Sequence, residues 1–145
     1  MIYDWQERTQ MLTGEETLER FRNSTVAVIG VGGVGGYAAE MIVRAGIGAL
    51  TIADADVVGA SNINRQLVAL HSTIGRSKCE VLTDRLLDIN PELKLTAIHR
   101  FIKDDETDTL LDSAKFDYVV DAIDTLSPKL ALIKGPTDVR VCPSA

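Results

Sequence analysis

Cysteine is scarce in this chain. Cys79 and Cys142 are the only two in 145 residues, and they form neither a CxxC pair nor a metal-binding spacing. A disulfide framework and a cysteine zinc site are therefore excluded, and the usage fits a reducing compartment. Cys79 falls in a helical pattern and reads as a small buried side chain; Cys142 reads as an exposed tail residue. Histidine is equally sparse: His71 and His99 have no partner at metal spacing, so neither is taken as catalytic. There is no signal peptide and no apolar run long enough to span a bilayer, which predicts a cytoplasmic protein without a membrane partner. Positive charge is outnumbered. Fifteen Lys and Arg face 21 Asp and Glu, a net charge of −6, which disfavours indiscriminate binding to nucleic acid or anionic lipid. No internal repeat or low-complexity segment is present. What remains is ordinary globular composition, 46% hydrophobic and 25% charged, in a length that suits one domain with one core.

The richest stretch is Gly30-Val31-Gly32-Gly33-Val34-Gly35. An apolar, strand-like run, Thr25 to Ile29, precedes it, and a helix-like run, Tyr37 to Arg44, follows. A second strand-like run, Leu50 to Ala53, ends in Asp54. Strand, glycine turn, helix, strand and acid, in that order, form the context of a nucleotide-binding turn. The first glycine permits the tight turn, the second admits phosphate to the backbone, and the third lets helix and strand pack closely. The helix N-terminus offers N–H groups to an anion. Asp54 stands where an acid can take a ribose hydroxyl.

Thr13-Gly14-Glu15-Glu16 reads as a capping box opening a helix to about Arg22, within an N-terminal helical segment over residues 1–23. Residues 54–75 form a long connection rich in Asn, Ser and Ala, and long connections are often functional. Arg76 to Asn90 carries an apolar face at helical spacing, and Pro91 stops it. A third strand is expected over Lys94 to Phe101, a short helix over Glu106 to Ala114 and a buried fourth strand over Tyr118 to Ile123. Ser127-Pro128 reads as a further helix start. This alternation predicts an α/β, Rossmann-like parallel sheet in the order 3-2-1-4, with helices on both faces. Ligand is expected beyond the carboxyl ends of the strands, where Asp54, Asp56, Arg65, Lys78 and Asp124 can share one cleft with the glycine turn. Two cations and several carboxylates around a phosphate site suit phosphoryl or nucleotidyl transfer. Asp56 reads equally well as a residue that orients the turn after the second strand.

Read together, these motifs resemble the ThiF/MoeB/HesA family, relatives of the ubiquitin-activating enzymes. The resemblance is carried by Gly30-Val-Gly-Gly-Val-Gly35, Ala45-Gly-Ile-Gly48, Asp54-Ala-Asp56, Asn62-Ile-Asn-Arg65-Gln66, Gly75-Arg-Ser-Lys78, Ile89-Asn-Pro91 and Asp121-Ala-Ile-Asp124. It spans roughly residues 8–134. Within the family the likeness is to the branch that dehydrates a threonylcarbamoyl-modified adenosine in tRNA. It rests there on Arg44-Ala-Gly-Ile-Gly-Ala49, Asn64-Arg-Gln66 and Asp121-Ala-Ile-Asp-Thr125 followed by Pro128-Lys129.

The resemblance implies ATP and magnesium as cofactors and adenylation of a carboxylate, with pyrophosphate released. In that branch the adenylated side group closes a ring and AMP leaves. Carried over by position, Gly30, Gly32, Gly33 and Gly35 form the phosphate turn and Asp54 holds the ribose. Asn62, Arg65 and Lys78 contact phosphate, and Asp56, Gln66 and Asp121 complete the binding set. Asp124 holds magnesium, with Arg65, Lys78 and Asp124 as the catalytic residues. Arg8 resembles an arginine that reaches across a homodimer into the neighbour's site. Implied partners are a second copy, a tRNA substrate and a sulfur-transfer or carrier protein. Arg44, Arg65, Arg76 and Lys78 are candidates for a basic mouth facing tRNA.

The family pattern is left at the end. Residues 1–134 read as the ATP-binding domain, whereas residues 135–145 read as an irregular tail with the C-terminal half missing. The chain is expected to be truncated after the first half, and the fourth strand to be an open edge unless the tail or a partner covers it. Three readings stay open at this point: an adenylating domain, a non-catalytic nucleotide-binding or dimerisation remnant, and a nicotinamide-dependent oxidoreductase domain.

Overall fold

The computed structural model describes residues 3–103, 106, 109–110, 115–124 and 140–143. Two short helices, α1 (Glu7–Thr13) and α2 (Glu15–Arg22), lead into β1 (Thr25–Ile29). The order continues α3 (Gly35–Ala45), β2 (Ala49–Ala53), α4 (Lys78–Ile89), β3 (Lys94–Ile98), β4 (Tyr118–Asp121) and β5 (Arg140–Pro143). The five strands form one sheet in the order β3-β2-β1-β4-β5, and every pairing is parallel. The sequence order 3-2-1-4 is present as expected, extended by one strand.

Buried runs make the central strands. Val26, Ala27, Val28 and Ile29 of β1 are all buried, as are Leu50 and Ile52 of β2, so both faces of the sheet are covered. On one face Val26, Val28, Leu50 and Ile52 meet Ala39 and Val43 of α3 and Leu82 and Leu86 of α4. On the other, Ala27, Ile29, Val119 and Ala53 meet Ile102, Leu110 and Phe116. Each face thus buries several large apolar side chains, worth about 1.5–3 kcal/mol apiece. Glu40 is buried between α3 and α4 and is satisfied by Arg85, whose Nε donates to Oε2 at 2.5 Å, and by Arg44 at 2.9 Å. The hydrogen bond from Arg85 holds the Glu40 carboxyl below the usual carboxylate range.

Three local expectations differ from the structure or fall outside it. The capping box at Thr13 does not form: Gly14 takes the N-cap position of α2, and the Thr13 hydroxyl donates back to the Thr9 carbonyl at 2.8 Å. Thr13 is the last residue of α1, so its side chain serves that helix instead. The tail is not irregular throughout. Arg140–Pro143 pairs with β4 in register Tyr118↔Arg140 to Asp121↔Pro143. Val141 packs against the cluster of Ala27, Ile29 and Val119, while Arg140 lies over the Tyr118 ring and donates to its hydroxyl at 3.2 Å. Pro143, which lacks an N–H, is tolerated at the end of this outer strand. The fourth strand is therefore covered. The helices expected at Ser127 and over most of Glu106–Ala114 lie outside the described residues.

Candidate functional site

The site grows from the loop after β1. Gly35 is required by the fold itself, since a Cβ there would stand 1.7 Å from the Gly30 carbonyl oxygen. Gly32 and Gly33 are different. A Cβ at Gly32 would meet only the Gln66 side chain at 3.6 Å, and one at Gly33 only Arg65 at 3.7 Å, ordinary contact distances. Neither has a positive φ. Packing gives no reason for glycine at either place, so backbone left bare for a ligand is the remaining physical reason. The adjoining α3 N-terminus carries no side-chain cap, unlike α4, where Ser77 accepts from the Glu80 N–H. The start of a helix is where backbone N–H groups and the helix dipole favour an anion.

Asp54 ties the turn to β2. Its Oδ2 accepts from the Val31 N–H at 2.9 Å, and its Oδ1 accepts from the Asp56 N–H at 2.8 Å. Each oxygen keeps a second lone pair for a ligand hydroxyl. Beside it, Lys78 is the first residue of α4 and is 5% exposed; its ammonium donates to Asp56 Oδ2 at 3.2 Å.

A cleft opens at the carboxyl ends of β1, β2 and β4, where the sheet order reverses. Of the residues expected at the site, Gly30, Gly32, Asp54, Asp56, Gln66, Lys78 and Asp124 line it together. Gln66 is 8% exposed, and its buried Oε1 has no protein partner. The remaining expected residues are placed around the cleft or away from it. Gly33, in the turn, and Gly35, the first residue of α3, do not line it. Asn62 accepts from the Gly59 N–H at 2.9 Å and shapes the loop. The Arg65 guanidinium donates to the Ser61 carbonyl and to Asn64 Oδ1, both at 3.1 Å, on the exposed side of the turn. Asp121 is fully buried, with Oδ1 accepting from the Ile123 N–H at 3.1 Å, and so orients the strand end beneath the cleft. Arg8 stands exposed on α1 and does not line the cleft.

The expected basic mouth is not assembled among the described residues. Arg44 is paired with Glu40, Arg76 with Glu80 and Asp84, and Lys78 with Asp56. Three of its four members thus already face a carboxylate. Sequence reasoning also missed Arg100, Phe101 and Ile102, which follow β3 and line the cleft with Ala122 and Ile123. No motif marks them; their one signal is their place after a strand beside β2. Phe101, 58% exposed, and Ile102 give the cleft an apolar stretch of wall, while Arg100 is held by Glu106 at 2.7 Å.

No three His, Cys, Asp or Glu side chains converge on a metal-sized point among the described residues. Asp124 is the exposed carboxylate on the β4 side of the cleft. One carboxylate supplemented by phosphate oxygens is a donor set that suits magnesium.

The ThiF family pattern matches residues 3–134, nearly the whole described span. The chain belongs to the ThiF family. Among its ThiF relatives, the tRNA threonylcarbamoyladenosine dehydratase of Bacillus subtilis (strain 168) is 44% identical over 127 residues, covering 88% of this chain and 50% of that protein. The protein of the same name from Escherichia coli (strain K12) is 42% identical over 132 residues, covering 89% and 49%. A solved E. coli tRNA N6-threonylcarbamoyladenosine dehydratase, TcdA, in complex with ATP superposes with a TM-score of 0.91 at 38% identity, over 99% of this chain and 61% of that one. The chain thus spans about half the length of the curated ThiF proteins it matches.

Proposed function

We propose that this ThiF domain binds ATP with magnesium and serves adenylation of a carboxylate, of the kind that dehydrates threonylcarbamoyladenosine in tRNA. The observation that carries the reading is the pair Gly32 and Gly33, bare of side chain without any packing need, beside a nearly buried lysine. The crystal structure of the ATP-bound relative, alike over 99% of this chain, supports it. In this reading the glycine turn and the uncapped start of α3 receive phosphates, and Lys78 neutralises them. Asp54 takes a ribose hydroxyl with its remaining lone pairs. Phe101, Ile102, Ala122 and Ile123 face the base, and Asp124 holds magnesium. ATP, when bound, supplies an electrophilic phosphorus and a stable leaving group; the chain's own work is to place it and to offset charge as it shifts. Arg65 reaches phosphate by releasing Ser61 and Asn64, a cheap exchange for an exposed side chain.

The partners are a tRNA substrate and a second copy of this chain. Tyr37 and Met41 on α3, with Val34 just before it, are 47%, 56% and 59% exposed, an apolar face suited to self-association, and Arg8 is the residue read as reaching the neighbour's site. A carrier-protein or sulfur-transfer partner is the alternative substrate class. Two free thiols agree with a reducing, cytoplasmic setting.

Calorimetric titration with MgATP, beside NAD and an Arg65→Ala variant, tests the reading. Saturable ATP binding that weakens in the variant, with NAD silent, is expected; binding of NAD alone would overturn it. Because the chain spans half of its relatives, a pyrophosphate-exchange assay with tRNA then separates an adenylating domain from a nucleotide-binding remnant.

A further inference from the structure

Lys78 and Asp56 form an unequal pair. The lysine is 5% exposed and the Asp56 side chain 69% exposed, yet they meet at 3.2 Å inside the cleft wall. Their backbones are joined as well. The Lys78 N–H donates to the Asp56 carbonyl at 3.1 Å, and Val57 and Ser77 form an isolated antiparallel bridge. Asp56 is in turn fixed to Asp54, whose Oδ1 accepts its N–H. Ammonium and carboxylate therefore sit on one braced unit at the cleft edge. An ammonium so nearly buried is costly without a counter-charge. A carboxylate so exposed gains little from the pair and is readily rehydrated.

We propose that Asp56 is a placeholder counter-ion, a positioning residue that holds Lys78 at the cleft while phosphate is absent and yields it when phosphate arrives. The inference rests on the nucleotide reading above and adds a sign to it: Asp56 weakens polyphosphate binding while it keeps Lys78 in place. Each time a phosphate product leaves, Asp56 recaptures the ammonium, so the empty site does not hold an unpaired buried charge.

The test is calorimetric binding of MgATP, inorganic tripolyphosphate with magnesium, and adenosine to the full chain, to Asp56→Asn, to Lys78→Met and to the double variant. Asp56→Asn is expected to tighten tripolyphosphate and MgATP about three- to fivefold, the scale of an exposed ion pair, and to leave adenosine unchanged. In the Lys78→Met background that gain should fall below about twofold, because the competition it removes is already gone. A merely structural role for Asp56 would move adenosine and tripolyphosphate together and would overturn the proposal. Weaker or unchanged tripolyphosphate binding in Asp56→Asn, with the parent chain binding MgATP normally, overturns the placeholder alone. A parent chain that binds neither MgATP nor tripolyphosphate overturns the nucleotide reading itself. Thermal melting of each ligand-free variant checks that all are folded.

Discussion

Cys79 shows how one position can adjoin the candidate cleft and stay inert. It follows Lys78 directly, is buried, and its Sγ lies 3.5 Å from the Asp54 carbonyl oxygen and 3.6 Å from that of Ile98. Burial, reinforced by the Asp54 charge, pushes its thiol up to about 11. The thiolate is the reacting form, so below that value Cys79 stays protonated and unreactive. Alkylation by iodoacetamide at pH 8, read by mass spectrometry of the native chain, should label Cys142 and spare Cys79; rapid labelling of Cys79 would contradict its burial. The paired arginines follow similar logic. Arg76 is separated from Glu80 by four positions, and that spacing already foretells an ion pair rather than a free cation.

At the scale of the element, the turn between β1 and α3 holds glycines that packing requires beside glycines that it does not. Gly35→Ala would drive a methyl into the Gly30 carbonyl, a backbone atom that cannot step aside, and should cost about 3 kcal/mol or more. Gly32→Ala meets only the end of the Gln66 side chain, so stability should change by less than about 1 kcal/mol while MgATP affinity falls at least about tenfold. Chemical denaturation and calorimetry on the two variants read both quantities; equal destabilisation would erase the distinction. The turn was legible in the sequence because strand, glycines, helix and acid occur in fixed order. So was the sheet order, because parallel crossovers have one hand. The strand at Arg140–Pro143 was not, since four residues carry too little alternation and its one packed side chain, Val141, is recognisable only once β4 lies beside it. Arg100 and Phe101 were hidden for a related reason: their role comes from adjacency to β2, not from a motif. Arg65 was placed in the cleft by motif, but a long exposed side chain chooses partners within its own loop.

At the scale of the whole molecule, the outer face of α3 is an exposed apolar surface among the described residues. Glu at Tyr37 or Met41 would place charge on the exposed apolar face without touching the core, because both side chains point away from Ala39 and Val43. Sedimentation equilibrium should show the parent chain as a dimer and Tyr37→Glu or Met41→Glu as a monomer with unchanged melting; a monomeric parent would remove the second copy from the proposal. The sheet order has a different consequence, in the entropy of loop closure. The bond from Val31 to Asp54 closes 23 positions of chain, whereas that from Thr25 to Asp117 closes 92. Two doublings of loop length cost about 1.2 kcal/mol more. A chain emerging from synthesis can therefore assemble β1, β2 and β3, with the glycine turn braced by Asp54, before β4 exists. The Asp124 wall is the part that long-range closure adds last.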